Sequence, residues 1–172
     1  MDPFIRLENV SKLYGGNGVR AAALRGVSLS IEAGEYAAIT GESGAGKSTL
    51  LTILGGLQVP SSGTVLMKGV DLSSLSSDRL ADFRRETIGI IFQAYHLLPD
   101  PCVLLADEPT GNLDSVTGEH ILDLFSGLHK TGKTVLMVTH NRGNLSRATR
   151  LIRLRDGIVA EDAPLLAPRR AP

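Results

Sequence analysis

Short apolar runs bounded by turn residues recur along the chain: Ile88-Gly-Ile-Ile-Phe92, Cys102-Val-Leu-Leu-Ala106 and Thr134-Val-Leu-Met-Val138. Runs of this length without polar alternation predict strands buried on both faces, as in a parallel sheet flanked by helices. Nearer the N-terminus, Phe4–Val10, Ala22–Ile31 and Tyr36–Ile39 alternate more and are joined by turns at Gly15-Gly16 and Ala33-Gly34. That pattern predicts an antiparallel layer. Three helices are expected. Lys47–Leu57 follows a glycine-rich loop, and Ser77–Glu86 opens on a Ser/Asp cap with Leu80 and Phe83 on one side. Asp114–His129 opens on an Asp/Ser cap and sets Ile121, Leu124, Phe125 and Leu128 on one stripe. Asp156-Gly157, between Leu151–Arg155 and Ile158–Ala160, predicts a tight hairpin. From Ala163 to Pro172 an Ala/Pro-rich tail is expected to be disordered, leaving residues 1–162 as one α/β domain.

Composition narrows the function classes. Lys plus Arg number 18 and Asp plus Glu 18, so no overall basic field favours nucleic acid or anionic lipid. The single cysteine, Cys102, excludes an internal disulfide and suits a reducing compartment. No basic-then-apolar leader is visible at Met1, and no apolar run reaches the ~18–20 residues of a membrane helix. The expectation is a soluble chain whose membrane role, if any, passes through a partner.

Chemistry concentrates at Gly41-Glu-Ser-Gly-Ala-Gly46-Lys47-Ser48-Thr49, which matches G-x-x-x-x-G-K-[ST] between an apolar run and a helical pattern. Glycines let the backbone curl so that successive N–H groups, from Ser43 to Ser48, face phosphate oxygens. The following helix adds the positive end of its dipole. Lys47 is expected to neutralise the β- and γ-phosphates of ATP, and the Ser48 hydroxyl to ligate Mg²⁺. Asp107 and Glu108 end another apolar run, where a strand would deliver them to the sheet's C-terminal edge. Alone, such an acid pair is an ordinary solvated turn; beside the glycine loop, Asp107 suits magnesium and Glu108 suits a general base. Gln93 and His140 likewise follow apolar strands and would gather at the same edge, although a lone His after a strand is commonly a surface group.

In this order the motifs resemble the ATP-binding subunit of an ABC transporter, near the lipoprotein-release and macrolide-export class, over nearly all of residues 4–160. The resemblance implies a P-loop NTPase (RecA-like) fold. It would have a parallel sheet with helices on both faces and an N-terminal antiparallel β layer. Gly41–Thr49, with Gly41, Ser43, Gly44, Ala45, Gly46, Lys47, Ser48 and Thr49, resembles the Walker A loop. Val103–Glu108 resembles the Walker B strand with its catalytic acid, Ile90-Ile-Phe-Gln93 the Q-loop, Gly111-Asn-Leu-Asp114 the D-loop, and Val138-Thr-His140 the switch histidine. Tyr14 in Val10-Ser-Lys-Leu-Tyr14 resembles the aromatic that stacks on adenine, or else packs on the core. By family, Glu108, His140 and Gln93 are catalytic, and Ser48, Gln93 and Asp107 serve Mg²⁺. The implied partners are membrane-spanning transporter subunits and a second ATP-binding subunit in a homodimer or pseudo-dimer. The implied place is the cytoplasm, peripheral on the inner face of the cell membrane.

One departure is visible. The L-S-G-G-Q-type signature is absent; the nearest string, Leu54-Gly-Gly56, lies just after the glycine loop. Only Ala94–Pro101 separates Gln93 from Cys102, where the family has a helical subdomain, so the chain reads as internally shortened there. A parallel connection ordinarily takes a dozen or more residues. Eight can span ~26–29 Å when extended, which suffices to return along a strand but leaves one sheet face without a covering helix. Because each signature loop serves the opposite subunit's γ-phosphate, the expectation is nucleotide binding with little or no coupled hydrolysis. A non-hydrolysing module is the alternative from another class. A P-loop kinase fits less well, since Glu108 beside Asp107 suits activation of water.

Overall fold

The computed structural model describes residues 2–15, 20–91, 95–96 and 100–165. Alternating burial builds the first sheet. In β1 (Ile5–Tyr14), Ile5, Leu7 and Val10 are buried while Glu8 is exposed, and β2 (Ala21–Ile31) pairs with it antiparallel from Ile5↔Ile31 to Tyr14↔Ala21. Irregularities between Leu7 and Leu13 break the pleat near Asn9, which takes a left-handed φ of 49°. The layer expected at the N-terminus is therefore present, with one correction. Tyr36–Ile39 does not belong to it. Those residues form β3 (Tyr36–Thr40) in the other sheet, where Tyr36, Ala37, Ala38 and Ile39 are all buried, the two-sided burial of a central parallel strand. After the helix α1 (Lys47–Leu54), the layer is completed by β4 (Ser62–Met67) and β5 (Val70–Asp71), giving the order β2-β1-β4-β5. Helix α1 stops three residues before the expected Leu57 because Gly55 and Gly56 terminate it, Gly56 at φ 61°.

The second sheet follows α2 (Ser77–Thr87). It contains β6 (Ile88–Ile91), β7 (Tyr95–His96), β8 (Val103–Asp107) and, after α3 (Ser115–Lys130), β9 (Thr134–Val138), β10 (Arg150–Arg155) and β11 (Ile158–Pro164). Among the described residues its order is β11-β10-β3-β9-β8-β6-β7. From β10 to β6 neighbouring strands run parallel, and only the outer pairs β10–β11 and β6–β7 are antiparallel. The β10–β11 turn at Asp156 (φ 50°) and Gly157 (φ 80°) is the expected hairpin. Strand β11 runs to Pro164, however, so Ala163 and Pro164 pair with β10 instead of opening a loose tail.

Helices cover both faces, so the sheet face expected to lack a covering helix is not left bare. Leu50, Leu51, Ile53 and Leu54 of α1 enter the core between the two sheets, with Leu80 and Phe83 of α2 packed against it. On the other face α3 buries Leu122 and Phe125 beside Leu104, Val135 and Met137. The expected stripe on α3 is rotated: Leu122 is 3% exposed, whereas Leu124 is 44% exposed. At about 100° per residue Leu124 lies roughly 200° from Leu122, so only Ile121, Phe125 and Leu128 of the expected set border the core.

Strands β6 and β8 are immediate parallel neighbours, from Ile88↔Val103 to Ile91↔Ala106. Of the residues between them, the described pair Tyr95–His96 forms β7, antiparallel to β6 at Ile90↔His96 and Ile91↔Tyr95. Ahead of β8, Asp100 takes φ 62° and pairs with Lys133 Nζ at 2.6 Å. The Cys102 amide then bonds Thr87 O at 2.9 Å. None of the helices of the described residues is long and apolar enough to cross a membrane.

Candidate functional site

The C-terminal end of β3 runs straight into the glycine loop and then into α1. Gly46 stands at the helix N-cap with φ 98°, and the cap has no side-chain hydrogen bond. The first-turn amides of α1 therefore remain available to an anion. A Cβ on Gly46 would lie 2.4 Å from Ala23 O, so the loop can press against β2 only because no side chain intervenes. Lys47 Nζ donates to Gly41 O at 2.9 Å and Glu42 O at 2.8 Å, closing the curl. A cationic donor on neutral carbonyls can be transferred to stronger, anionic acceptors.

Opposite the loop stands the end of β8. Asp107 is the last ladder residue there, paired with Val138 of β9. Glu108 follows in the left-handed region at φ 47°, its amide bonded to Val138 O at 3.0 Å. That backbone turn aims its carboxylate across to β9, where His140 Nδ1 lies 2.9 Å from Oε1 and the His140 amide 3.4 Å from Oε2. The acid pair and the histidine, separate strand-end polar groups in the sequence, thus become one contact.

A cavity of about 520 Å³ joins the two sides, lined by Gly41, Ser43, Gly44, Gly46, Lys47, Ser48, Thr49, Asp107, Glu108 and His140, together with Ala23 of β2. This size and this edge of a parallel sheet suit a nucleotide-sized ligand. Ala23 was not foreseen, because a small apolar residue inside a strand carries no chemical signal. The expected Ala45 is not a lining group: its side chain is 4% exposed and belongs to the core, so only its backbone can serve a ligand. The expected Tyr14 is not among the lining residues either, and it reaches the site only through Thr49. Its hydroxyl bonds Gln58 Oε1 at 2.5 Å and lies 3.4 Å from Thr49 Oγ1, while Lys12 Nζ sits 5.4 Å from the ring centre. Gln93, expected beside the phosphates, lies outside the described residues. Ser48 and Asp107 bring one hydroxyl and one carboxylate to the same cavity. This fits Mg²⁺, which takes one or two protein oxygens and completes its shell with phosphate and water.

The similarities to known proteins follow this geometry. A family model described as ABC transporter matches residues 24–101. An uncharacterized ABC transporter ATP-binding protein of Thermotoga maritima is 36% identical over 219 residues, covering 91% of this chain and 94% of the relative. The chain belongs to the ABC transporter ATP-binding family. Members of this family are ATP hydrolases, and the α/β fold agrees: the ATP-binding cassette MJ0796, solved as a dimer in a post-hydrolysis state bound to ADP and Pi, superposes with a TM-score of 0.87 at 29% identity over 94% of this chain and 99% of that one. Export-class relatives are similar too. The macrolide export ATP-binding/permease protein MacB of Brucella abortus is 34% identical over 222 residues, 93% of this chain. Those residues are only 34% of that relative, so this ABC-family chain spans about a third of its length. About 160 residues of the chain (93% of 172) are spread over 222 aligned positions, so roughly 60 positions of MacB have no counterpart.

Proposed function

We propose that the chain is the MgATP-binding part of an exporter-like ABC transporter, working with separate membrane-spanning subunits, and that its own turnover is far below that of full-length cassettes. The observation that carries the first half is convergence. Uncapped first-turn amides of α1 and the Lys47 ammonium face Asp107, Glu108 and His140 across a single cavity. In this reading amides from Ser43 to Ser48 cradle the phosphates, and Lys47 exchanges the Gly41 and Glu42 carbonyls for the β- and γ-phosphates. Tyr14 stacks on adenine. Ser48 and Asp107, with Gln93, would hold Mg²⁺, which would supply charge neutralisation for the phosphates. Glu108 takes a proton from the attacking water while His140, held by the same carboxylate, faces the γ-phosphate.

The second half rests on what lies between β6 and β8. We place the unmatched stretch of roughly 60 positions near residues 94–101, where only eight residues separate Gln93 from Cys102. A signature loop has no place in that connection, so a second copy of this chain brings no trans-acting group to the γ-phosphate. In other phosphoryl-transfer enzymes such a group contributes ~10³–10⁵ in rate. Calorimetric titration tests binding: MgATP binds the wild-type chain, and Lys47→Ala abolishes or severely weakens it. Phosphate release tests turnover. A rate equal to that of full-length cassettes, and lost in Glu108→Gln, refutes the second half; unchanged affinity in Lys47→Ala refutes the first.

A further inference from the structure

The segments carrying Glu108 and His140 are tied together by a side chain that belongs to neither. Asn144 lies in the 3-10 segment Arg142–Arg147 and is 3% exposed. Its Nδ2 donates to Thr110 Oγ1 at 3.1 Å and to Thr139 Oγ1 at 3.0 Å. Thr110 is two residues beyond Glu108, and Thr139 immediately precedes His140.

Both ends of this bridge are themselves fixed. The Thr139 amide bonds Ile39 O at 3.1 Å, on the strand that leads into the phosphate loop, and its hydroxyl also accepts the Asn141 amide at 3.1 Å. Thr110 packs over Gly118 of α3, where an added Cβ would stand 3.6 Å from Thr110 Cβ. The β8–β9 ladder ends at Asp107↔Val138. Past that point the Glu108 amide still reaches Val138 O at 3.0 Å, and side chains must hold the two chains in register. One primary amide has two N–H donors, so a single buried side chain can satisfy two hydroxyls on different loops. Buried donors are costly to leave unpaired, which locks the separation of those loops.

We infer that Asn144 is a positioning residue: it sets the distance at which His140 and Glu108 meet, and through them the γ-phosphate end of the site. This rests on the roles proposed above for Glu108 and His140, but its test does not need nucleotide. The His140 ring resonance is read by NMR in the nucleotide-free chain at alkaline pH, where ordinary imidazoles are neutral, and is assigned by His140→Asn. Glu108→Gln supplies the position of a histidine whose carboxylate partner has gone. In Asn144→Leu the resonance moves to that position, and Thr110→Val, which removes one acceptor at a less buried place, moves it the same way. Thr110→Ser, which restores the hydroxyl, returns it to the wild-type position. MgATP affinity at the Lys47 cradle stays within about twofold in Asn144→Leu. Should Asn144→Leu not fold, the two Thr110 variants decide alone. A folded Asn144→Leu or Thr110→Val chain that melts earlier but keeps the wild-type His140 resonance overturns the inference. Loss of MgATP binding by the wild-type chain would instead defeat the nucleotide reading and leave this result standing.

Discussion

Two glycines of the Gly41–Thr49 loop share a left-handed backbone yet differ in what surrounds them, and substituting each by alanine separates two costs. Gly44 has φ 78° and Gly46 φ 98°. An added Cβ on Gly44 meets nothing within 4 Å, whereas on Gly46 it falls 2.4 Å from Ala23 O and 2.9 Å from Leu24 Cδ2. Gly44→Ala therefore incurs only the conformational penalty of an L-residue in this region, about 1–2 kcal/mol. Gly46→Ala incurs the same penalty and must also push α1 away from β2 by roughly 1 Å, which adds about 1–3 kcal/mol for an overpacked contact. For a chain of this size each kcal/mol shifts Tm by about 2–4 °C. Thermal unfolding should then show a drop of about 2–8 °C for Gly44→Ala and about 4–20 °C for Gly46→Ala, the second always the larger. MgATP titration adds a contrast, because Gly44 lines the cavity and a methyl there stands where the phosphates are proposed to lie. Gly44→Ala thus weakens MgATP binding as well as lowering Tm. Equal melting temperatures for the two variants would refute the collision, and with it the account of why the loop packs so closely on β2.

Other outcomes follow from the same contacts. Leu122→Ala should cost about 2–4 kcal/mol as a buried cavity, while Leu124→Ala should stay within about 0.5 kcal/mol; chemical denaturation of both checks the rotated stripe of α3. The Asp114 carboxyl caps α3, and hydrogen bonds from the Thr117 hydroxyl, then from the Thr117 and Val116 amides, hold its pKa below the ordinary aspartate value. Its folded pKa is the lower one, so this stabilisation is complete above the unfolded pKa and is lost as pH falls through the folded one. Melting curves in acid should show that extra loss for the wild type and not for Asp114→Asn, which keeps the cap without titrating. Any residual phosphate release should fall further in Glu108→Gln, with MgATP affinity preserved.

The strand–loop–helix around Gly41–Thr49 was legible in the sequence because it depends on local order. A phosphate loop needs its glycines, lysine and serine within one strand–turn–helix, and Gly41–Thr49 supplies all of them between β3 and α1. Thr134–Val138 was legible for a similar reason: an apolar run too short for a helix has few alternatives, and it forms β9 with the same bounds. Where two patterns overlapped, the sequence misled. Tyr36–Ile39 follows a turn like its antiparallel neighbours, yet it pairs with β9 and β10, strands distant in the chain. On α3, five apolar residues compete for one face, and the core that decides between Leu122 and Leu124 is made by other strands.

The sequence by itself determined which groups are present: a glycine-rich loop with its lysine and serine, two strand-end carboxylates, a histidine, and only eight residues between Gln93 and Cys102. Tertiary structure alone decided how they meet. The left-handed turn at Glu108 brings its carboxylate to His140, 32 positions on, and the Asn144 amide reaches loops 34 and 5 positions away. Such contacts carry no periodicity, because they depend on which strands lie side by side. That order is set by burial summed over the whole sheet, beyond the reach of any local stretch of chain.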